Sequence, residues 1–158
     1  MNRVLVTMLA LIAATAASAA DPFAGTWKQN KQMGGGALYV PSDIPVIKQI
    51  EVIGENTAKI TDHEAESEEA FPLDGTLVRI RNGRNAGEDD SLKRLHPKVW
   101  AFQRKTHGRT YPDRKDHTSY DEEGYYTISV DGKIMIWAVL RIYSDGRTIY
   151  YNRVFERQ

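Results

Sequence analysis

The sequence predicts an all-β domain, a single antiparallel up-and-down barrel of eight or nine strands. Three observations predict it. Short β-branched or aromatic runs recur along the chain between clusters of Gly, Asn, Asp and Pro. No apolar 3.6-residue repeat of useful length occurs, so no helix is expected. Phe23-Ala24-Gly25-Thr26-Trp27-Lys28 sets a Gly-x-Trp at the start of the first strand. There the glycine lets the chain turn tightly under a barrel floor, and the indole two residues on plugs the closed end. A barrel also removes the edge strands that a flat sheet of this size would expose. A sandwich satisfies the same pattern.

The first twenty residues read as an export segment and residues 21–158 as the barrel domain. Arg3 gives a positive start, Val4 to Ala17 is apolar without an acid, and Ala17-Ser18-Ala19 fits a small-x-small cleavage site. That run is shorter than the roughly 20 residues a membrane helix needs. The expectation is therefore cleavage after Ala19 or Ala20, no membrane span thereafter, and an exported product in the periplasm or outside the cell. Cysteine is absent, which excludes disulfides, thiolate catalysis, iron–sulfur clusters and Cys-rich zinc sites. The chain carries 21 basic and 21 acidic residues, and loss of Arg3 leaves one acid in excess. That balance calls for neither nucleic acid nor an anionic surface.

Taken in order, Gly25 to Asn30 is the first strand. Lys31 to Pro45 holds Gly34-Gly35-Gly36 and two prolines and is expected as a long loop near the barrel mouth. Val46 to Ile53 and Thr57 to Thr61 make a hairpin about Gly54-Glu55-Asn56. Asp62 to Glu69 is an acidic solvated edge, Phe71 to Gly75 a turn, Thr76 to Arg81 a short strand and Asn82 to Asp90 a loop. Ser91 to Leu95 and Lys98 to Thr106 pair around His96-Pro97, with Trp100, Phe102 and Arg104 on one face. After the polar stretch Gly108 to Gly124, Tyr125 to Val130 and Ile134 to Tyr143 flank Asp131-Gly132, a pair suited to a type I′ turn. Thr148 to Arg157 closes the barrel.

These features together resemble a group of bacterial exported lipocalin-like (calycin-type) proteins. The resemblance runs nearly the length of the chain after residue 20. It rests on Pro22 to Lys28, the aromatic-Pro-x-x-Gly of Phe71 to Gly75, Ser91 to Arg94 with its partner Val99 to Lys105, the Asp131-Gly132-Lys133 hairpin, and Val154 to Arg157. It implies a barrel with an interior cavity and assigns almost no biochemistry. In lipocalins an arginine near the end of the last strand stacks on the Gly-x-Trp indole. The floor implied here is Gly25 and Trp27 with Arg153 or Arg157. The loops depart from the family pattern: Gly34 to Gly36, the acidic run and Gly108 to Gly124.

The function expected is binding of a small hydrophobic or amphipathic ligand inside the barrel. Eight Tyr and three Trp suit a pocket with apolar walls and a few hydroxyls, and equally a filled core. Met33, Leu38, Tyr39, Ile136, Leu140 and Tyr151 are the candidate contacts. Ile134 to Tyr143 is apolar on both faces, so its Met135-Trp137-Val139 face is a candidate homodimer surface. An isomerase or hydrolase is the first alternative. It would use His117 as acid or base, Asp113 and Asp116 to orient it, and Arg109 and Tyr111 near the substrate. A filled barrel serving as an envelope structural or interaction module is the second.

No nucleophile motif is present, and no cofactor is expected. His63, His96, His107 and His117 leave haem ligation by a lone histidine as a weak option. No metal site is assigned, the acidic run around His63 being a weak one. The basic residues Lys93, Arg94, Lys98, Arg104, Lys105 and Arg109 are expected on the outer face.

Overall fold

A computed structural model describes residues 20–36, 46–108 and 119–158. Eleven strands make one antiparallel sheet: β1 (Gly25–Gln29), β2 (Gly35–Gly36), β3 (Ile47–Ile53), β4 (Thr57–Asp62), β5 (Ser67–Pro72), β6 (Val78–Arg79), β7 (Asp89–His96), β8 (Val99–Lys105), β9 (Tyr120–Ile128), β10 (Ile134–Tyr143) and β11 (Thr148–Arg157). No helix occurs among the described residues.

Ten strands follow one hydrogen-bonded path, β5-β4-β3-β1-β11-β10-β9-β8-β7-β6, and β2 pairs with β11 beside it. The result is an up-and-down, nearly closed barrel with more strands than the eight or nine expected. The first strand meets the last: Trp27 pairs with Arg157 and Gln29 with Phe155. On the far side, the chain leaving β5 reaches β7. Asp74 bridges Lys93, Gly75 N–H donates to the Leu92 carbonyl at 2.9 Å, and Arg94 N–H donates to the Leu73 carbonyl at 2.9 Å. Closure satisfies backbone groups that an open edge would leave free.

Several boundaries differ from the sequence reading. The triple glycine is partly strand, because the β11 edge beyond β1 is open and the Asn152 side chain accepts the Gly35 N–H at 3.0 Å. The second half of the acidic run is β5, and Asp89 and Asp90 already belong to β7. The end of the polar stretch, Tyr120 to Gly124, is the first half of β9, and residues 109–118 lie outside the described residues. In β5, β7 and β9 charged side chains hid a strand whose alternate residues point inward. The Asp131-Gly132 turn is not type I′, since positive φ falls on Gly132 alone (73°), whose N–H donates to the Ser129 carbonyl at 3.0 Å. That is the pattern of a type I turn followed by a left-handed glycine.

Strand parity decides what the barrel contains. Along β10, Met135, Trp137, Val139, Arg141 and Tyr143 are buried, while Ile136 and Ile142 are exposed. Met135-Trp137-Val139 is therefore inside the single chain and cannot be a dimer surface. The outward apolar stripe is instead Ile136, Leu140 and Ile142, with the exposed Tyr125 and Tyr150 on neighbouring strands. Gly124 faces Val139 across β9 and β10, and a Cβ there would fall 1.9 Å from the Ala138 carbonyl oxygen. The glycine lets the two backbones approach closely here.

Candidate functional site

The barrel floor is built from both chain ends. Phe23 and Trp27 are fully buried, and the Trp27 Nε1–H donates to the Phe23 carbonyl at 2.8 Å. Phe23 stacks on Trp100, ring centroids 4.0 Å apart. Of the two arginines that could lie on the Trp27 indole, Arg157 does so, with Cζ 4.4 Å from the ring centroid. Its guanidinium also donates to the Gly132 carbonyl at 2.8 Å, the Ala24 carbonyl at 2.6 Å and the Pro22 carbonyl. Gly25, with φ at 139°, leaves the space that Arg157 Nη1 occupies, since a Cβ would sit 2.9 Å from that atom. A second arginine from the expected outer set, Arg94, lies over Trp100 and holds the Asp21 carboxylate at 2.5 Å.

Arg153 is elsewhere. Four residues along an antiparallel strand are roughly 13 Å, and that rise carries Arg153 from the floor to the cavity above it. There it donates to Glu64 at 2.6 Å, with Cζ 5.6 Å from the Trp137 centroid.

That cavity is about 210 Å³. Trp137 is its central ring. Tyr126, its cross-strand partner, stacks on it at 5.6 Å and 4°, while Phe102 and Tyr151 present edges at 5.6 and 6.1 Å. Ile60, Phe71, Ile80 and Leu92 complete an apolar side. Trp137 is 6% exposed, and its buried Nε1–H has no hydrogen-bond partner, as is also true of Trp100 Nε1–H.

The remaining wall is charged. Arg104 grips Asp90 with two hydrogen bonds of 2.8 and 2.7 Å, and lies 3.1 Å from Glu88 and 3.5 Å from Glu122. Glu122 Oε1 accepts from Arg141 at 2.8 and 2.5 Å and from the Tyr151 hydroxyl at 2.8 Å. Nearer the indole, Lys48 pairs with Asp62, its Nζ 5.2 Å from the Trp137 centroid. Asp62 also caps its own turn, accepting from the Glu64 and Ala65 N–H groups at 3.0 and 3.1 Å.

These contacts set the protonation states. Burial opposes charge on Arg104, but Asp90, Glu122 and Glu88 outweigh it and hold the guanidinium well above its usual range. Burial would raise Glu122 and Asp62, yet Arg104 and Arg141 lower the first and Lys48 lowers the second. Burial pushes the Tyr126 and Tyr151 phenols upward, and Glu122 adds to this at Tyr151. The site is thus an array of fixed charges and neutral phenols around an aromatic hollow, suited to holding a ligand by position.

Among the six residues expected to contact a ligand, Tyr151 lines the cavity. Met33 is exposed at the surface, and Ile136 and Leu140 lie on the outer side of β10. Leu38 and Tyr39 lie outside the described residues, as do Arg109, Tyr111, Asp113, Asp116 and His117. Residues 37–45 of the loop expected near the mouth lie outside the described residues, and among those described Glu64, Ala65, Arg84 and Asn85 border the cavity from the turn after β4 and the loop before β7. The two segments are joined by an Arg84 N–H donating to the Ala65 carbonyl at 2.7 Å.

Lys48, Asp62, Asp90, Arg104, Glu122 and Arg141 were missed as site residues. Arg104 was assigned to the outer face although it shares strand parity with Trp100 and Phe102, and that parity was the available signal. Among the described residues, no group of three His, Asp or Glu side chains is placed to hold a metal ion.

No protein-family model matches the sequence, and no curated protein matches it. Among solved structures, one described as EF1p2_mFAP2b bound to DFHBI is similar over 87% of this chain and 94% of that one, at 13% identity and a TM-score of 0.42.

Proposed function

We propose that this chain is an exported lipocalin-like barrel that binds one small amphipathic molecule in its interior and does no chemistry on it. The observation that carries the reading is the roughly 210 Å³ hollow lined by Trp137, Tyr126, Phe102 and Tyr151 together with the charged residues Asp90, Arg104, Glu122 and Arg141. A filled barrel would pack side chains into that space, as protein interiors normally do. An amphipathic ligand matches a wall that is aromatic on one side and ionic on the other. The sequence motifs of the floor and the small-x-small site near residue 19 support the family and the export.

The test is to purify the protein from its own host, denature it and identify what is released. A stoichiometric small molecule with both apolar and polar parts is the expected result. Protein that repeatedly releases nothing contradicts the reading.

A further inference from the structure

Granted the interior binding proposed above, a ligand needs a way in, and the sheet shows where the wall is weakest. β5 and β6 are the two ends of the hydrogen-bonded path, and no ladder joins them among the described residues. Toward the floor, the chain after β5 is tied to β7 by the Gly75–Leu92 and Arg94–Leu73 backbone bonds. Farther from the floor the seam is bridged sparsely. The Glu69 carboxylate accepts the Arg81 N–H at 2.7 Å, and the Ala65 carbonyl accepts the Arg84 N–H at 2.7 Å.

The segment on the β6 side of this seam is closed on itself. The Ile80 N–H donates to the Glu88 carbonyl at 2.8 Å, and the Gly87 N–H donates to the Ile80 carbonyl at 2.9 Å. Within the loop, the Ala86 N–H reaches the Gly83 carbonyl and the Glu88 N–H the Asn85 carbonyl. Residues 81–87 can therefore swing away from Ala65 and Glu69 and keep these internal bonds. Gly83 seats the loop so tightly on the turn after β4 that a Cβ would fall 2.1 Å from the Ala65 carbonyl oxygen.

The hollow opens toward this loop. Ala65, Ser67, Glu69, Arg84 and Asn85 line it, and Arg84 is exposed, whereas Phe102, Tyr126 and Trp137 of the aromatic wall are buried. The floor is filled by Phe23, Trp27 and Trp100. At the other end of β9 and β10, Tyr120 and Arg141 are both buried, with Arg141 Cζ 3.8 Å from the ring centroid. Segments held by few, solvent-exposed hydrogen bonds open at the lowest cost, and gates to enclosed sites are drawn from them.

We propose that small molecules enter and leave the barrel sideways through the seam between β5 and β6, with residues 81–87 as a flap latched onto Glu69 and Ala65.

The absence of cysteine allows the flap to be locked. Ala65→Cys with Arg84→Cys places a disulfide between two residues already joined backbone to backbone, and reducing the same protein releases it. Gly83→Ala does the opposite, since its Cβ pushes the flap off the Ala65 carbonyl. Stopped-flow binding of 2-naphthol, an amphipathic two-ring probe, reads the rates. The oxidised protein is expected to bind and release naphthol about tenfold or more slowly than the reduced one, with Kd within about twofold. A gate that is shut in both the free and the bound protein alters the barrier and not the end states. Gly83→Ala should speed both steps about threefold or more. Hydrogen exchange on the wild type, without probe, reads the latch itself. The Arg81 and Arg84 amides should exchange about 100-fold or more faster than those of Gly75 and Arg94.

Naphthol rates that are equal in the oxidised, reduced and Gly83→Ala proteins would overturn the seam as the entrance and leave interior binding intact. Arg81 and Arg84 amides as protected as those of Gly75 and Arg94 would also overturn it. Naphthol that does not bind a wild type whose flap opens would contradict interior binding, and the entrance with it.

Discussion

Arg141 and Glu122 face each other across β10 and β9 inside the barrel, with Nη2 2.5 Å from Oε1, and Glu122 also faces Arg104 and Tyr151. One carboxylate therefore holds two buried guanidiniums and a phenol. Removing one partner of a buried ionic group leaves the others desolvated without compensation. Glu122→Ala is expected to lower stability by about 3–5 kcal/mol. Glu122→Gln, which keeps an acceptor, should lose less. Urea unfolding of both variants checks this, and equal or negligible losses would contradict the network.

Acid should weaken the fold through the same groups. Burial opposes ionisation of Glu122 and Asp62, but the neighbouring cations win and depress both pKa values in the folded state. The unfolded chain then takes up protons first as pH falls. The stabilisation is thus complete above about pH 5 and is lost progressively toward the lowered folded values. Unfolding midpoints measured between about pH 7 and pH 3 should fall on acidification, and less steeply in Glu122→Gln. Parallel curves for the two proteins would rule Glu122 out as a source of the slope.

At the floor, Arg157→Met should cost about 1–2 kcal/mol, from loss of the cation–π contact and the three carbonyl bonds. Arg157→Lys keeps the charge without the fork and should fall between wild type and Met. A thermal unfolding series orders the three proteins. Met and wild type melting together would show that the floor closes without this residue.

Much of the barrel was legible because its ends obey local rules. Gly25-x-Trp27 marks a strand start, and the lipocalin resemblance implies an arginine on its indole; Arg153 and Arg157 share a strand face, so only the register, which pairs Trp27 with Arg157, decides between them. β10 was not legible in the same way. Its aliphatic face, from Ile134 to Ile142, is at least as apolar as the face carrying Trp137 and Arg141, so hydrophobicity favours the wrong side. A shift of one residue exchanges every side chain between faces. Here the choice is made by partners distant in sequence, Tyr126 against Trp137 and Glu122 against Arg141. The charged collar stayed hidden for the same reason. Its ions look like surface residues until the strands that pair them are known.

Gly124→Ala tests the close approach of β9 and β10. The added Cβ meets the Ala138 carbonyl oxygen, so the backbone must move. A loss of about 1–3 kcal/mol is expected from overpacking, whereas Gly→Ala at a relaxed strand position would be neutral or stabilising. Calorimetric unfolding distinguishes the two.

The hollow itself is tested by blocking it. Ser67 lines the cavity from β5 among larger side chains, and Ser67→Trp would fill the space while leaving the floor and the ionic collar in place. Native mass spectrometry of wild type and Ser67→Trp, both purified from the host, reads occupancy directly. Wild type carrying one small molecule per chain and the variant carrying none is the predicted result. Two bare proteins, or the same adduct on both, would contradict binding in the barrel interior.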